Sequence, residues 1–366
     1  MWEKIIGWFE VRIGLGELVK EGLDSCRVPK NVSIFQTIGC LAFAAFVIQV
    51  FTGFCLLLYY APNSEQAFAS VQSIMQDIPY GWLFRMMHVV GGTLLLITVA
   101  LHMLSAFVMG SYKKPREMTW ITGGLLFFAM VIFAFTGNLL PWGQLNYWQT
   151  TIVTAIPTAF PYVGEFITAV LRSGGQMSGL TLNKFFALHV SLLPFVFLAL
   201  FVFHLFLVRR IGISSPPSFG DASGDRSPRT AYRKETYPDG HPVYPYFVVR
   251  VAFMVTVYLS VLFLLITFLP GLFLPEGSVI QANPLKTPVH VRPEWYLLAP
   301  YQMLKLIPNM FFALSVQLIM GVLFVFWPFF DAKKEGNMLL IKRPLLFGLS
   351  LSVMAVWFIL TIWGKY

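Results

Sequence analysis

The chain has 366 residues, of which 57% are hydrophobic and 12% are charged, and its formal net charge is +9. So apolar a composition excludes a soluble domain of any size and predicts an all-α integral membrane protein. The positive charge does not require a nucleic-acid partner, because it reflects few acidic residues and basic residues gathered in particular loops.

The first thirty residues are predicted to form an interfacial amphipathic segment (residues 1–30). Apolar Trp2 and Trp8 are interspersed with charged Glu3, Lys4 and Glu10, so the segment lacks the uninterrupted apolar run of a cleavable signal peptide. Such a mixture is typical of a helix that lies in the membrane interface.

Seven apolar stretches follow, each long enough to cross a hydrocarbon core of about 30 Å as a helix. Arg85 is the only charged residue within them. A polar connector, residues 211–246, divides a four-helix domain at residues 31–210 from a three-helix domain at residues 247–366. The predicted spans are residues 33–60, 82–109, 118–139, 185–208, 251–272, 308–330 and 344–363.

Lysine and arginine fall mainly in alternate loops, which predicts the orientation in the membrane. Residues 1–30 hold five, residues 113–116 three, residues 209–250 seven and residues 333–343 four, which is nineteen of the 26. The loop at residues 61–80, on the opposite side, holds none. We expect a bacterial-type inner membrane protein with a cytoplasmic N-terminus and, after seven spans, a C-terminus on the positive side.

Four histidines lie inside predicted spans: His88 and His102 in the second, and His189 and His204 in the fourth. Spacings of fourteen and fifteen residues are each close to four helical turns. The two histidines of each span therefore lie near one helix face, roughly 21–22 Å apart. Both spans enter from outside, so His88 and His189 form an outer pair and His102 and His204 an inner pair. Two bis-histidine sites suit two haem b groups, because filled axial positions favour electron transfer. The alternative is four unrelated histidines bonded to neighbouring carbonyls.

Glycines repeat the fourteen-residue spacing. Gly39 and Gly53 lie on the first span, and Gly123 and Gly137 on the third. Glycine costs about 1 kcal/mol in a helix interior relative to alanine, so this repetition indicates a requirement for space. A flat macrocycle packed against backbone at two depths would explain it, and ordinary close helix contact is the alternative.

Several motifs match one known family. The chain resembles the cytochrome b subunit of the quinol-oxidising cytochrome bc complexes over nearly its whole length. Besides the histidines and glycines, the matching motifs are Gly-Trp-Leu-Phe-Arg at residues 81–85, Lys-Lys-Pro-Arg-Glu at 113–117, Pro-Trp-Gly-Gln at 141–144 and Pro-Glu-Trp-Tyr at 293–296. The fifteen-residue spacing resembles the photosynthetic type, here fused to its three-helix partner subunit.

The resemblance implies a low-potential haem at the outer pair and a high-potential haem at the inner pair. Arg85 would meet a propionate of the outer haem, unless its head group simply reaches the interface. The family often has an arginine where this chain has Ser105. Propionate charge on the cytoplasmic side is therefore expected from Lys113, Lys114 or Arg116.

The resemblance also implies bifurcated quinol oxidation, with one electron passing to an external iron–sulfur protein and the other across the membrane to a second quinone. The outer quinol would bind between residues 142–156 and the loop that holds Glu294, whose carboxylate would accept a proton. Pro293, Trp295 and Tyr296 flank it as candidate quinone-binding residues. A glutamate bonded to backbone at the interface is the alternative role for Glu294.

Three further residues bear on the quinone sites. Tyr147 is a candidate pocket residue, with an interface aromatic as an equal alternative. Arg209 would bond a quinone carbonyl near the cytoplasm, with simple positive-inside charge as an equal alternative. Gln149 stands where the mitochondrial type has glycine, so we expect its side chain to crowd inhibitors that need that space.

The photosynthetic type carries a third haem on a single cysteine near the start of the first span. Alignment with that family puts Thr37 at the cysteine position, and Cys40 lies three residues further, roughly 4.5 Å deeper in a helix. Cys26, Cys40 and Cys55 form no CxxC or CxxCH pattern. We expect two non-covalent haem b groups and no covalent haem.

The expected partners are a Rieske-type iron–sulfur protein, a c-type cytochrome, a second copy in a homodimeric complex, and the bilayer. One rival function is a non-bifurcating di-haem anchor that links a dehydrogenase to the quinone pool. It would give no reason for the last three spans or for residues 293–296. A second rival is a transporter or a purely structural membrane protein. Neither function gives a reason for the matched spacing of the histidines in the two spans.

Overall fold

The computed structural model describes residue 7 and residues 27–30, 32–213, 240–331 and 339–366. Most of the predicted interfacial segment and most of the connector lie outside the described residues. Within the described ranges a single two-stranded sheet pairs β1 (Arg27–Val28) antiparallel with β2 (His241–Pro242). This pairing joins the segment before the first span to the segment before the fifth.

The rest of the described chain is helices and their connections. In chain order the α-helices are α1 Ile38–Leu57, α2 Ala67–Gln76, α3 Gly81–Val108, α4 Glu117–Leu139, α5 Gln144–Ala155, α6 Gly164–Arg172, α7 Gly179–Ala187, α8 Leu193–Ile211, α9 Val248–Phe268, α10 Pro270–Phe273, α11 Leu298–Leu306, α12 Met310–Val325, α13 Trp327–Phe330 and α14 Pro344–Lys365.

Six continuous helical segments in the described residues are long and apolar enough to cross a membrane. The first begins with a 3-10 turn before α1, and the fourth joins α7 to α8 through a wide turn at Leu188–Leu192. The six are Ile34–Leu57, Gly81–Val108, Glu117–Leu139, Gly179–Ile211, Val243–Phe268 and Pro344–Lys365. They correspond to six of the seven predicted spans; the fourth extends further at both ends, and the fifth begins earlier and ends earlier than predicted.

The predicted sixth span, residues 308–330, is divided into two helices. α12 has 16 residues, which gives about 24 Å of rise and falls short of a hydrocarbon core of about 30 Å. Phe326 leaves the helical conformation just before Pro328, whose ring disfavours a continuous helix at this point. The apolar sequence continues into α13, so a count of seven spans stays a prediction.

One apolar core joins α1, α3, α4 and α8 to α9. Tyr258, Leu262 and Ile266 of α9 pack in the same cluster as Leu41 of α1 and Val90 of α3. The fifth span therefore packs on the four-helix bundle, and the two predicted domains share a core.

A buried ion cluster ties the loop after α3 to the segments around α13 and α14. Asp331 accepts two hydrogen bonds from the Arg343 guanidinium, one at 2.6 Å, and one from the Tyr112 hydroxyl. The ammonium of Lys113 lies 3.8 Å from the same carboxylate. Burial alone would raise the pKa of Asp331, but the bonds from Arg343 and Tyr112 and the Lys113 charge hold it below its ordinary value.

Candidate haem and quinol sites

The outer histidines face each other across the bundle. The ring centroids of His88 on α3 and His189 in the wide turn are 6.3 Å apart, with the ring planes at 78°. Two imidazoles on opposite sides of one metal ion place their centroids about 6 Å apart, because each metal–nitrogen bond is about 2 Å. The separation therefore fits one iron held between the two rings.

The inner histidines form a second pair. His102 lies on α3 and His204 on α8, and the two side chains are neighbours. All four histidines are only half-buried, although each lies well inside an apolar helix. Open space therefore borders both pairs, as a planar ligand between helices requires.

The wide turn explains why fifteen residues separate His189 from His204. It occupies Leu188–Leu192, directly before Pro194, which has no N–H to continue the α-helical bonding. A turn with i to i+5 bonding contains about one residue more than an α turn. Fifteen residues with one such turn thus cover about the same number of turns as the fourteen residues between His88 and His102.

Each of the four predicted glycines lies against one of the four histidines. A Cβ at Gly39 would be 2.9 Å from Cε1 of His102, and a Cβ at Gly53 would be 3.1 Å from Cε1 of His88. On α4 the corresponding distances are 3.5 Å from Gly123 to His204 and 2.7 Å from Gly137 to His189. The distances from Gly39, Gly53 and Gly137 are shorter than an ordinary van der Waals contact. Glycine at these positions therefore leaves room for the imidazole rings.

Three threonines, each directly before one of these glycines, fix the ring orientation. Oγ1 of Thr52 lies 3.0 Å from Nδ1 of His88, and that of Thr136 lies 3.1 Å from Nδ1 of His189. Each hydroxyl proton has a carbonyl acceptor in its own helix, Ile132 for Thr136 and Ile48 for Thr52, which leaves the hydroxyl oxygen able to accept from the imidazole N–H. Nε2 is then unprotonated and free to bind a metal.

The inner pair is asymmetric. Thr122 meets Nδ1 of His204 at 2.9 Å in the same way. The residue before Gly39 is Ile38, and Nδ1 of His102 has no hydrogen-bond partner in the described residues. His102 is therefore the one histidine of the four without a threonine partner.

Arg85 fits the predicted propionate role at the outer pair. It lies on α3 three residues before His88, about one turn away, and its side chain is 5% exposed. Both ion pairs in the described residues involve Asp331, so no carboxylate of that part of the chain neutralises Arg85. A buried cation is costly unless it is paired, so an anionic group of a ligand would be a suitable partner for Arg85.

The three predicted cations on the cytoplasmic side have different surroundings. Lys113 is buried beside Asp331, Lys114 is exposed, and Arg116 donates to the carbonyl of Gly212 at 3.3 Å. Ser105, at the position where the family often has arginine, bonds the carbonyl of His102. The propionate role of the three cations stays a prediction.

Helix α5 packs against the loop that precedes α11, as the outer quinol site requires. The backbone N–H of Gln144 donates to the carbonyl of Ile280 at 2.7 Å, and the indole of Trp148 donates to the carbonyl of Asn283 at 3.3 Å. On the same helix, Gln149 lies near enough to Glu294 to affect its pKa. Residues 142–156 thus pack against the outer loop, and their role in binding quinol stays a prediction.

Glu294 and Tyr296 are both shielded in part from water. Burial raises the pKa of Glu294 above its ordinary value, and the neighbouring Gln149 amide partly offsets this. The Tyr296 hydroxyl is buried without a hydrogen-bond partner in the described residues, and burial together with the Glu294 charge raises its pKa. A carboxyl group in such surroundings suits reversible proton transfer.

The other predicted quinone-site residues lie in three different parts of the structure. Pro293 is buried and Trp295 is 39% exposed, both beside Glu294. Tyr147 packs on Trp142 and donates to the carbonyl of Met177 at 3.5 Å, about half a turn around α5 from Gln149. Arg209 is exposed near the end of α8. A quinone-binding role for each of them stays a prediction.

Cys40 packs against Val28, Val32 and Phe247. Cys40 and Cys55 are free thiols, and Cys26 lies outside the described residues. The expectation that no haem is covalently attached stays a prediction.

The sequence analysis did not predict the threonines or the amide hydrogen bonds that reach Gln149. The signal for the threonines was present, since Thr-Gly recurs at residues 52–53, 122–123 and 136–137. Nothing comparable marked Asn138 and Asn146, which join Gln149 through hydrogen bonds of 2.7 and 3.0 Å.

Comparison with known proteins gives consistent matches. The family described as Cytochrome b/b6/petB matches residues 23–212, and the family described as Cytochrome b(C-terminal)/b6/petD matches residues 281–366. Cytochrome b of Allochromatium vinosum is 36% identical over 309 residues, which cover 84% of this chain and 74% of that protein. Cytochrome b of Rickettsia conorii is 36% identical over 332 residues, 90% of this chain and 79% of that protein.

A solved structure of a hyperthermophilic respiratory Complex III contains a chain that superposes with a TM-score of 0.88 at 34% identity, covering 99% of this chain and 91% of that one. These matches place the chain among the multi-pass membrane oxidoreductases of electron transport. The chain belongs to the cytochrome b family, the haem-bearing membrane subunits of quinol–cytochrome c reductase complexes. Its predicted likeness to the photosynthetic branch of that family stays a prediction.

Proposed function

We propose that this chain oxidises quinol at the outer face of the membrane and conducts electrons to a quinone at the cytoplasmic face. The observation that carries the proposal is the pairing of four histidines with four glycines at two depths of one helix bundle. The proposal includes bifurcation, in which one electron of each quinol leaves to a Rieske-type iron–sulfur protein and the other crosses the membrane.

Two non-covalent haem b groups would be held by the outer pair and the inner pair. Bound haem would supply reversible one-electron chemistry, and ligation by two histidines would suit electron transfer. The protein holds the rings in place through the threonine bonds, and the glycines leave space for them. His88 and His102 are about 21 Å apart along α3, which covers most of the hydrocarbon core.

At the outer site Glu294 is the proposed proton acceptor. Quinol oxidation releases two protons with two electrons, so a group must take a proton where the quinol hydroxyl lies. Glu294 is half-buried, and burial raises the pKa of its carboxyl group. Its raised pKa brings it closer to working pH than an exposed glutamate, which is the condition for efficient general-base action.

A groove at the opposite end of the bundle is the proposed cytoplasmic quinone site. It has a volume of about 710 Å³ and lies beside the start of the first span, before the turn in which Gly39 faces His102. Arg250 lies over the Tyr246 ring at 4.3 Å and supplies positive charge there, whereas Arg209 does not line the groove. The lining residues are Lys30, Val32, Ser33, Ile34, Tyr246, Val249, Arg250 and Phe253.

The proposed setting is a bacterial-type inner membrane with the N-terminus in the cytoplasm, as the distribution of lysine and arginine predicts. The proposed partners are the Rieske-type protein and a c-type cytochrome in a homodimeric complex. The likeness to a chain of a respiratory Complex III supports this assembly. The side chains that surround the described bundle are largely apolar, as lipid contact requires.

The test is quinol oxidation by the complex purified with its partners. Glu294→Gln keeps the shape of the side chain but cannot accept a proton, and we expect turnover to fall by about 10²–10⁴-fold with unchanged haem content. The matched control is Glu276→Gln, because Glu276 is an exposed glutamate in the same outer loop. Normal turnover in the Glu294 variant, or copurification without an iron–sulfur subunit, would refute the proposal.

A further inference from the structure

We propose that Gln49 is a positioning residue for the outer pair, because its side-chain amide holds the main chain of α3 at His88 and thereby fixes the orientation of that imidazole. Tyr258 of α9 holds the same turn of α3 from another side. This inference rests on one part of the proposed function, namely that His88 and His189 hold one haem iron.

The Gln49 side chain reaches from α1 to the backbone of α3. In the orientation that satisfies both of its polar atoms, the amide nitrogen donates to the carbonyl of His88 at 2.9 Å, and the amide oxygen accepts from the N–H of Gly92 at 3.2 Å. These two backbone groups are four residues apart, which is the spacing of the bond that joins successive turns of an α-helix. One amide therefore bonds both ends of the helical turn that begins at His88.

A glycine inside this turn leaves space for the amide. A Cβ at Gly91 would lie 2.2 Å from the nearest atom of the Gln49 amide, a distance that no real side chain adopts. Glycine costs about 1 kcal/mol in a helix interior relative to alanine, and Gly91 is not one of the four glycines that lie against histidine rings. The close approach of Gln49 is therefore the structural reason for glycine at this position.

Tyr258 reaches the same turn from α9. Its side chain is buried, and its hydroxyl donates to the carbonyl of Gly91 at 3.3 Å. A hydroxyl or an amide in apolar surroundings is costly unless its polar atoms are bonded, so the bonds from Tyr258 and Gln49 resist displacement of the turn. The main chain just after His88 is thus bonded by side chains from two other helices.

The next turn of α1 contacts the ring of the same histidine. Oγ1 of Thr52 lies 3.0 Å from Nδ1 of His88, and a Cβ at Gly53 would be 3.1 Å from Cε1. Thr52 and Gly53 are three and four residues after Gln49, so all three lie on one helix face. α1 therefore contacts both the main chain and the ring of His88, and this arrangement limits rotation of the ring.

The orientation of the outer rings has a spectroscopic consequence. The ring planes of His88 and His189 are at 78°, which is close to perpendicular. For a low-spin ferric iron with two imidazole ligands, the largest g value of the electron paramagnetic resonance signal is highest for perpendicular rings and falls as they turn toward parallel. Loss of the Gln49 bonds should therefore lower the largest g value of the outer haem. The inner haem should keep its signal, because His102 lies fourteen residues further along α3.

The test is electron paramagnetic resonance of the oxidised complex purified with its partners. Gln49→Met keeps the length of the side chain and removes both bonds, so we expect the outer signal to move to lower g with unchanged haem content. Gly91→Ala should shift the signal in the same direction, because its Cβ displaces the amide. The double variant should shift it no further than Gln49→Met alone, since both changes remove the same interaction.

Gln317→Met is the matched control. Gln317 is also half-buried, and its amide donates to the carbonyl of Pro300 on a neighbouring helix at 2.9 Å, so this variant should leave both haem signals in place. An unchanged outer signal in Gln49→Met would overturn the inference. If that variant loses haem, Tyr258→Phe decides, because it removes one bond to the same turn, and an unchanged outer signal there is equally contrary. Failure of the proposed function differs, because it would appear as the absence of low-spin haem signals from the wild type or as normal turnover in Glu294→Gln.

Discussion

Gly137 and His189 are in such close contact that a Cβ at residue 137 would lie 2.7 Å from Cε1 of the imidazole. Real side chains do not approach so closely, so any larger residue must displace the ring. We expect Gly137→Ala to lose most of the outer haem, measured as the low-potential component of reduced-minus-oxidised spectra.

Gly123→Ala is the control for this prediction. The corresponding distance to His204 is 3.5 Å, an ordinary contact, so we expect this variant to retain most of the inner haem. Equal haem content in the two variants would show that the glycines do not act by making room for the histidines.

The threonine bonds should tune the potentials of the two haems. A hydroxyl that accepts the Nδ1 proton raises the basicity of the ligand and favours the oxidised metal. Thr136→Val removes the 3.1 Å bond to His189, so we expect the outer midpoint potential to rise by on the order of 30 mV. Ile38→Thr would give His102 a partner, and we expect the inner midpoint to fall by a similar amount.

A redox titration of both variants in membranes measures these shifts. Thr151→Val, whose hydroxyl bonds the carbonyl of Tyr147, serves as the control and should leave both midpoints in place. A fall in the outer midpoint of Thr136→Val, or a rise in the inner midpoint of Ile38→Thr, would contradict the assigned direction of the bonds.

Helical periodicity predicted the depth and facing side of the histidines and glycines, because both depend only on 3.6 residues per turn. It did not predict which glycine meets which histidine. That pairing depends on helix direction: α1 runs opposite to α3, so Gly39 near the start of α1 meets His102 near the end of α3. The wide turn at Leu188–Leu192 was also hidden, since a spacing of fifteen residues does not reveal a local change of pitch.

Contacts between distant parts of the chain could not be predicted from the sequence. Lys113 was one of three cations predicted as alternatives for a propionate, and the structure brings it 3.8 Å from Asp331, a residue more than two hundred positions away. The hydrogen bonds that connect Asn138 and Asn146 to Gln149 likewise depend on how α4 meets α5. No periodic pattern in the sequence indicates these hydrogen bonds, because the residue type alone does not distinguish a buried amide from an exposed one.

The ion cluster around Asp331 should stabilise the fold. Its carboxylate is 7% exposed and is bonded by Arg343 and Tyr112. Asp331→Asn leaves buried cations without their counter-charge, and we expect a loss of about 3 kcal/mol in thermal unfolding of the detergent-solubilised chain. The control is Asp77→Asn, an exposed site that should change stability by less than about 0.5 kcal/mol.

The pH dependence of this stabilisation has a definite sign. The pKa of Asp331 is lower in the folded chain than its ordinary value. The contribution is therefore fully present above the ordinary pKa of an aspartate and is lost as the pH falls through the lower, folded value. If wild type and Asp331→Asn still differed by the same amount at the lowest pH at which both fold, the cluster would not act through this charge.

The four histidines should form two iron sites at different depths, and a redox titration of haem in His189→Leu tests this pairing most directly. We predict that this variant loses the low-potential outer component and keeps most of the high-potential inner component, with His204→Leu doing the reverse. Equal loss of both components from each variant, in chains that still fold and insert, would contradict the pairing.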